Sequence, residues 1–397
     1  MFSHRVPPDL QPTALAAAVA RARASGRPII DLTITNPTTV GLAVAPDVLA
    51  SLASPAACRY EPDPLGRLEA RRAVAGDYRR RGVDVPPERV VLTASTSEAY
   101  SVLFKLLCDA GDEVLVPQPS YPLFEHLTAL DAVRAVPYRL EHHGLWSLDR
   151  ASVERAWTPR TRALLVVSPN NPTGSMLRRD DWAWLCEQCA SREVAVIGDE
   201  VFADYPIAPA EDAVASVVGE RSAAAAAAVS SVLRFALGGL SKSAGLPQLK
   251  VGWFAVDGPD EPVADALRRL ELICDTYLSV STAAQVALPA LVRAGAAIRA
   301  AITDRIRAND ALVREVTVRH PACSALRTEG GWSTVIRVPA THGEEALVTA
   351  LVEEDGVLLH PGYFFDFAHE AFLVLSLLTP PGDLAAGLDR ALTRASR

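Results

Sequence analysis

The chain has 397 residues, of which 49% are hydrophobic and 22% are charged, so it can bury a full hydrophobic core. Its length predicts about two or three domains. The formal net charge is −8, and no block of basic residues offers a surface for the phosphates of a nucleic acid or for an anionic membrane. The composition therefore disfavours both as partners and indicates an ordinary soluble globular protein.

Residues 223–233 form the longest apolar stretch, which is much shorter than the roughly 20 residues of a membrane-spanning helix. The N-terminus lacks the apolar core of a secretory signal, and six cysteines do not make a disulfide framework in a chain of this length. Only Cys186 and Cys189 are closely spaced, on a predicted helix, without the further ligands of a zinc site. The sequence thus predicts a cytoplasmic protein with reduced thiols and no metal.

Short apolar runs alternate with amphipathic stretches, which is typical of an α/β protein with a parallel sheet. Four runs predict buried strands, each followed by Ser, Asp, Asn, Pro or Gly: residues 90–93, 113–117, 163–168 and 193–198. Polar residues therefore collect at the carboxyl ends of the strands, where open α/β sheets bind ligands. After about residue 290, charged helical stretches and strands at 333–338 and 357–359 predict a smaller C-terminal domain.

The most informative segment is residues 238–253, in which Lys242 lies between two serines in a glycine-rich turn after an apolar strand. A lysine that acts as a nucleophile must lose its proton, and a cationic neighbour and partial desolvation favour that loss. Lys250, in the same segment, is such a neighbour. Taken alone, the segment also fits two exposed loop lysines, since lysine usually lies at the surface.

Other segments supply groups that an aldehyde cofactor bound to a lysine needs. Ser95, Thr96 and Ser97 follow a strand and open a predicted helix, so their hydroxyls and backbone N–H groups suit an anion such as phosphate. A simple N-cap is the alternative interpretation. Tyr121 follows the next predicted strand, where its ring either stacks on a flat ring or packs in the core.

Two more strands end in polar side chains. Asn171 lies in a rigid turn, and its amide can donate a hydrogen bond to an oxyanion. Asp199 and Glu200 close a buried apolar run, and a carboxylate at such a position usually has a cationic partner. A protonated pyridine nitrogen is one such partner, and a cap on the following segment is the alternative.

Asn171, Asp199, Lys242 and Lys250 occur in the order and spacing of the pyridoxal-phosphate enzymes of the aspartate aminotransferase family, fold type I. The chain resembles this family from about residue 31 to residue 378. The resemblance implies that Lys242 forms a Schiff base with the cofactor and later moves a proton between the substrate Cα and the cofactor. It also implies that Asp199 keeps the pyridine nitrogen protonated and that Asn171 bonds the phenolic oxygen.

The resemblance extends to the rest of the site and to the assembly. Within one chain it assigns the stacking aromatic and the groups around the phosphate to Tyr121, Ser95, Thr96, Ser97 and Ser241. In a homodimer with shared active sites, Tyr60, Ser281 and Thr282 would reach the phosphate of the neighbouring subunit. The family's α/β fold implies a large domain with a mainly parallel sheet over residues 45–285 and a smaller domain from residues 1–44 and 286–397.

Three positions around the cofactor depart from the family pattern. Lys250 replaces the phosphate-binding arginine and keeps the charge without the bidentate fork. Gly239 stands where many relatives have a phosphate-binding serine. Phe202 replaces a tyrosine that bonds the phenolic oxygen, so we expect a raised Schiff-base pKa unless Tyr205 substitutes.

The departure with the largest consequence is at the substrate. The position of the family's arginine for the substrate α-carboxylate holds Val374. Arg337, on a predicted strand of the small domain, is a candidate replacement, and a solvent-facing arginine is the alternative. Thr35 replaces a glycine that many relatives keep beside the substrate, and Asn36 follows it as a further candidate contact.

We predict a pyridoxal-phosphate aminotransferase that moves an amino group between an amino acid, or another amine, and a 2-oxo acid. A lyase, decarboxylase or cyclase of the same fold is the second hypothesis, because Val374 and Phe202 alter contacts that steer which bond breaks. A non-catalytic module of this fold is the third, but it predicts loss of Lys242, which is present.

Overall fold

The computed structural model describes residues 2–8, 10–42, 45–219 and 226–397. The strands of these residues are β1 (Ile30–Asp31), β2 (Val90–Thr93), β3 (Glu113–Gln118), β4 (Arg134–His142), β5 (Trp146–Leu148), β6 (Thr161–Val167), β7 (Ala195–Asp199), β8 (Arg234–Gly239), β9 (Gly252–Asp257), β10 (Ser324–Ala325), β11 (Ser333–Arg337), β12 (Val357–Leu358), β13 (His360–Pro361) and β14 (Phe372–Ser376). The helices are α1 (Ala14–Ala24), α2 (Leu68–Arg80), α3 (Thr96–Leu107), α4 (Phe124–Leu130), α5 (Arg150–Ala156), α6 (Arg179–Ala190), α7 (Ala226–Ser230), α8 (Leu240–Ser243), α9 (Asp260–Asp275), α10 (Thr282–Val318), α11 (Glu344–Ala350) and α12 (Pro381–Ala395).

Eight strands form the largest sheet, in the order β2-β9-β8-β7-β6-β3-β4-β5. The neighbours from β8 across to β4 are parallel, whereas β9 runs antiparallel to both β8 and β2. β2 therefore points the same way as the parallel strands. As a result, the carboxyl ends of β2, β3, β6, β7 and β8 meet at one edge of the sheet, together with the start of β9.

Both faces of this sheet are covered by helices, which explains the continuous apolar runs of its strands. Successive residues of a strand point to opposite faces, so Val196 lies in one hydrophobic cluster and Ile197 in another. The cluster around Val196 includes buried residues of α2, α6 and the first part of α10. The cluster around Ile197 includes buried residues of α3 and α9.

Elements from both ends of the chain share a third hydrophobic cluster. It combines buried residues of α1, α11, α12 and β14 with the later part of α10, such as Ile302 and Ile306. The four-stranded sheet β10-β11-β14-β13 and the parallel pair of β1 with β12 belong to this part of the molecule. α10 contributes to two clusters, and the division into domains at residues 45 and 285 stays a prediction.

The strands predicted from apolar runs are confirmed as β2, β3, β6, β7, β11 and β12, with ends within two residues of those expected. β7 begins at Ala195 rather than at residue 193, because Glu193 adopts a φ of +56°, a left-handed conformation that a strand excludes. Cys186 and Cys189 lie buried on α6, as the helical pattern predicts.

One helix of the described residues, α10, is long and apolar enough to cross a membrane by length and composition alone. Its buried residues pack into two hydrophobic clusters of the protein, as those of a core helix do. The stretch at 223–233 considered above lies partly outside the described residues, since 220–225 are not among them.

Asn309 joins α10 to the segment that follows β14. The side chain is fully buried, and its Nδ2 donates to the carbonyl oxygens of Leu377 and Thr379, each at 2.7 Å. Both acceptors belong to buried residues, so no solvent replaces this donor when it is removed.

Asn309→Ala should therefore lower the free energy of unfolding by about 1–3 kcal/mol, the cost of leaving buried carbonyls without a donor. Urea unfolding followed by circular dichroism measures the loss. Asp304→Ala, at an exposed position of the same helix, is the control. Equal stabilities for the two variants would contradict the role given to Asn309.

Candidate active site

A cavity opens at the edge where the carboxyl ends of the parallel strands meet. Its polar lining consists of Thr35, Ser95, Thr96, Ser97, Asn171, Asp199, Ser241, Lys242 and Ser333. The aromatic, aliphatic and glycine residues that complete it are Tyr100, Tyr121, Leu127, Val167, Val201, Phe202, Gly239, Val251 and Gly252. The structure thus brings together most of the site residues that the sequence predicts, at the predicted edge of the sheet.

Lys242 enters the cavity from α8, the short helix that directly follows β8. Its Nζ lies 4.9 Å from the ring centre of Trp332 and 5.6 Å from that of Phe202. Burial lowers the pKa of Lys242 to about 8, against the opposing effect of the Asp199 carboxylate. A much larger fraction of this amine is therefore neutral at physiological pH than of an ordinary exposed lysine.

Asp199 is the last residue of β7 and is buried. Its Oδ2 accepts a hydrogen bond from the Tyr100 hydroxyl at 2.7 Å, and its Oδ1 accepts one from the Val201 backbone N–H at 3.2 Å. Burial raises the pKa of this carboxyl, and the hydrogen bond from Tyr100 is the largest of the contacts that oppose the rise. The carboxylate is thus desolvated but held by two donors.

Glu200, the neighbouring carboxylate, takes no part in the cavity. Its oxygens accept hydrogen bonds from Ser216 Oγ and from the Val217 backbone N–H, and Arg81 lies at 3.7 Å. Consecutive residues at the end of a strand point to opposite sides, which separates the two carboxylates. Asp199 is therefore the member of the pair that faces a ligand.

The start of α3 forms one wall of the cavity and lies next to the start of β9. Ser95 caps the helix by accepting from the Glu98 N–H at 3.1 Å, and Glu98 in turn accepts from the Ala94 N–H. A Cβ at Gly252 would lie 2.8 Å from the Ser95 carbonyl carbon and 3.0 Å from the Thr96 nitrogen, so only glycine lets β9 approach this closely. The N-cap interpretation is correct for Ser95, and the helix N-terminus also faces the cavity.

Tyr121 and Asn171 are two further predicted site residues that line the cavity. Tyr121 is 37% exposed and lines the cavity, and its ring packs edge to face on Phe124 with ring centres 5.9 Å apart, so part of the side chain stays accessible. Asn171 Oδ1 accepts a hydrogen bond from Ser333 Oγ at 3.3 Å. Because Ser333 belongs to β11, this bond links the large sheet's edge to the four-stranded sheet.

Several predicted site residues lie outside the cavity. Lys250 is exposed, with a φ of +52°, directly before Val251, which lines the cavity. Asn36 is exposed and its Oδ1 accepts from the Thr38 N–H. Tyr60, Ser281 and Thr282 likewise do not line the cavity of their own chain.

Arg337 is exposed and is not part of the cavity lining. It lies near His142, whose pKa is lowered by burial and by the positive charge of Arg337. Arg337 lies on the same strand as Ser333 but four residues further along, which places it beyond the cavity. Its side chain is therefore solvent-facing, the alternative given for it above.

Val374 lies in an apolar cluster rather than at an open position. It is 2% exposed and packs with Val335 and Phe365 and with Trp146 from the edge of the large sheet. Tyr205, the candidate substitute for the missing tyrosine at Phe202, donates its hydroxyl to the Lys242 carbonyl oxygen at 2.5 Å. The Tyr205 hydroxyl is thus engaged by the backbone of Lys242, and Tyr205 does not line the cavity.

The sequence did not predict Tyr100, Trp332 and Ser333 as residues of the site. Tyr100 was part of a predicted helix, and a tyrosine in the second turn after the phosphate-type motif is the pattern that would have drawn attention to it. Trp332 and Ser333 come from a distant part of the chain, and the segment just before them is held at the cavity by backbone hydrogen bonds to Gly174 and Tyr205.

Comparison with known proteins agrees with this geometry. The model of the family described as aminotransferase class I and II matches residues 28–390. The chain is 28% identical over 391 residues to an alanine aminotransferase of Mycobacterium tuberculosis, covering 94% of this chain and 86% of that protein. It is 30% identical over 308 residues to the arginine–pyruvate transaminase AruH of Pseudomonas aeruginosa, covering 76% of this chain and 74% of that protein.

A solved structure shows the same fold. A double mutant of the aspartate aminotransferase of Thermus thermophilus superposes with a TM-score of 0.82 and 25% identity, and the match covers 99% of both chains. Since the family model spans most of the sequence and the fold type I architecture is the same, the chain belongs to the class I and II aminotransferases, enzymes that transfer amino groups with pyridoxal 5'-phosphate.

Proposed function

We propose that Lys242 is the residue that binds pyridoxal phosphate covalently in this aminotransferase, and that Asp199 and Asn171 hold the cofactor ring. The observation that carries the proposal is a pair of groups in one cavity, an amine whose pKa desolvation lowers to about 8 and a buried, hydrogen-bonded carboxylate. Such desolvated, oppositely charged groups in a cleft are typical of catalytic sites.

The cavity suits each part of the cofactor. The N-terminus of α3, with Thr96 and Ser97, supports a phosphate site, since backbone N–H groups and the helix dipole favour an anion there. Because Gly252 has no side chain, β9 can approach this loop without filling the space beside it. The accessible part of Tyr121 supports stacking on a flat ring.

When bound, pyridoxal phosphate supplies an electron sink for the substrate Cα. Asp199 would hold the proton on the ring nitrogen, because an ionised carboxylate is the natural partner of a pyridinium. The lowered pKa of Lys242 supports its use first as a nucleophile and then as a base at the substrate Cα. The rings of Phe202 and Trp332 would exclude water from this amine.

We further propose that alanine and pyruvate form one amino donor and acceptor pair. The names of the relatives described above, an alanine aminotransferase and an arginine–pyruvate transaminase, support this choice. The same names favour amino transfer over the lyase, decarboxylase or cyclase hypothesis. Thr35, Asn171 and Ser333 are neutral polar side chains of the cavity and could donate hydrogen bonds to a substrate carboxylate.

We also propose a cytoplasmic homodimer in which Tyr60, Ser281 and Thr282 contact the cofactor phosphate of the partner subunit. Tyr60 is 72% exposed and lines a surface pocket together with Tyr277 and Thr282, away from its own chain's cavity. Two exposed tyrosines, Tyr60 at 72% and Tyr277 at 55%, support an interface between subunits at this pocket. The domain boundaries at residues 45 and 285 belong to the same proposal.

The chain has three lysines, Lys105, Lys242 and Lys250, which makes covalent assignment direct. Borohydride reduction of the holoenzyme should attach the cofactor to the peptide that contains Lys242. Lys242→Ala should abolish both this adduct and amino transfer. Lys105→Ala, which removes an ion pair with Asp131 on the surface, is the control and should change neither. A reduced adduct on Lys105 or Lys250 would overturn the assignment.

We propose that Lys250, directly before the cavity residue Val251, contacts the phosphate when the cofactor is bound. Lys250→Ala should therefore weaken binding of pyridoxal phosphate roughly tenfold by removing a charged hydrogen bond. Lys250→Arg should restore the affinity. Fluorescence titration of the apoenzyme measures both dissociation constants. Binding of pyridoxal, which lacks the phosphate, serves as the matched measurement and should not change. A parallel loss of affinity for pyridoxal would show that Lys250 acts through the fold and not on the phosphate.

Light scattering should give about twice the chain mass of 42.3 kDa. Tyr60→Phe should raise the dissociation constant of pyridoxal phosphate severalfold, because the phenolic hydroxyl would donate to the phosphate across the interface. Tyr277→Phe, at a neighbouring exposed aromatic of the same pocket, is the control. A monomer that binds the cofactor with unchanged affinity would contradict the shared site.

A further inference from the structure

Tyr100 makes the shortest side-chain contact to Asp199 among the described residues. Its hydroxyl donates to Oδ2 at 2.7 Å, and both side chains are buried. The second carboxylate oxygen accepts from the Val201 backbone N–H. One donor therefore sits on each oxygen, so the carboxyl group cannot rotate without breaking a buried hydrogen bond.

The Tyr100 ring is itself held on several sides. It stands on α3, whose first residue, Thr96, lines the cavity beside the proposed phosphate site. The ring packs edge to face on Phe124 with centres 5.5 Å apart, and Phe124 packs in the same way on Tyr121. Tyr121 and Tyr100, which both line the cavity, are thus joined through Phe124 in one packed aromatic cluster.

The phenol is a suitable donor because it carries no charge and keeps its proton. Burial and the nearby Asp199 carboxylate raise the pKa of Tyr100 far above neutrality, so the hydroxyl remains a donor over the whole working pH range. Lys242 also favours the ionised carboxylate, but its amine is the group that changes state during the reaction. Tyr100, together with the Val201 backbone N–H, therefore supplies stabilisation of the carboxylate that stays constant.

We propose that Tyr100 is a positioning residue for amino transfer, whose hydroxyl keeps the Asp199 carboxylate ionised and oriented toward the ring nitrogen of the cofactor. The inference rests on the proposed role of Asp199 and goes beyond it, because it makes the protonation of the ring depend on a residue of α3 that acts through the Asp199 carboxylate.

Tyr100→Phe tests this inference, because it removes the hydroxyl and keeps the ring contact with Phe124. Tyr138→Phe is the matched control, since Tyr138 is equally buried and its hydroxyl donates at 2.8 Å to the Leu165 carbonyl oxygen, away from Asp199. Far-ultraviolet circular dichroism establishes that both variants fold. The primary readout is the 15N chemical shift of the ring nitrogen in enzyme loaded with 15N-labelled pyridoxal phosphate.

The ring nitrogen of the wild type and of Tyr138→Phe should have the shift of a pyridinium, and Tyr100→Phe should move it toward that of a neutral pyridine. The same variant should lower kcat roughly tenfold, which corresponds to one hydrogen bond of about 1.4 kcal/mol, and should change KM little. Equal shifts and equal kcat values for the two tyrosine variants would overturn the inference.

Asp199→Asn distinguishes an error about Tyr100 from an error about the proposed partner of the ring nitrogen, Asp199. If Asp199→Asn makes the ring nitrogen neutral and Tyr100→Phe does not, the role of Asp199 stands and that of Tyr100 is wrong. If Asp199→Asn leaves the ring nitrogen unchanged, Asp199 is not its partner, and the proposed site and the inference fall together.

Discussion

Two ionisable side chains of opposite charge lie desolvated at the ends of neighbouring parallel strands, and the proposed chemistry of the protein depends on this pair. Asp199 ends β7, and Lys242 follows β8, which pairs with β7 in parallel. Burial pushes both groups toward their neutral forms, raising the pKa of the carboxyl and lowering that of the amine. Each charge also opposes the shift of the other, so a change at one group alters the proton affinity of its neighbour.

Asp199 and Lys242 have different neighbours, which stabilise different protonation states. Asp199 receives hydrogen bonds from Tyr100 and Val201, which favour the ionised carboxylate. Lys242 has the rings of Phe202 and Trp332 beside it, which displace water while still attracting a cation. One group is thus stabilised as a charge, and the other can exist in either protonation state near neutral pH, which is what a group that both attacks and transfers protons needs.

Much of this arrangement was predictable, because fully buried parallel strands appear as continuous apolar runs and the residues after them must lie at one edge. Ser95, Asn171 and Lys242 follow their strands directly, so local sequence places them. Ser333 and Trp332 were not predictable in the same way, since their position depends on hydrogen bonds between segments that are far apart in the sequence. Arg337 lies four residues beyond Ser333, about 13 Å along the strand, which takes its side chain away from the cavity.

The central claim is amino transfer rather than loss of a carboxyl group or of ammonia, and amino transfer requires the amino group of the donor to stay on the enzyme until an acceptor arrives. The most direct test is to add L-alanine to the holoenzyme without any 2-oxo acid and to measure pyruvate, carbon dioxide and ammonia. The account predicts about one pyruvate per active site and then no further product until a 2-oxo acid is added. Continuous release of carbon dioxide or ammonia without an acceptor would contradict it.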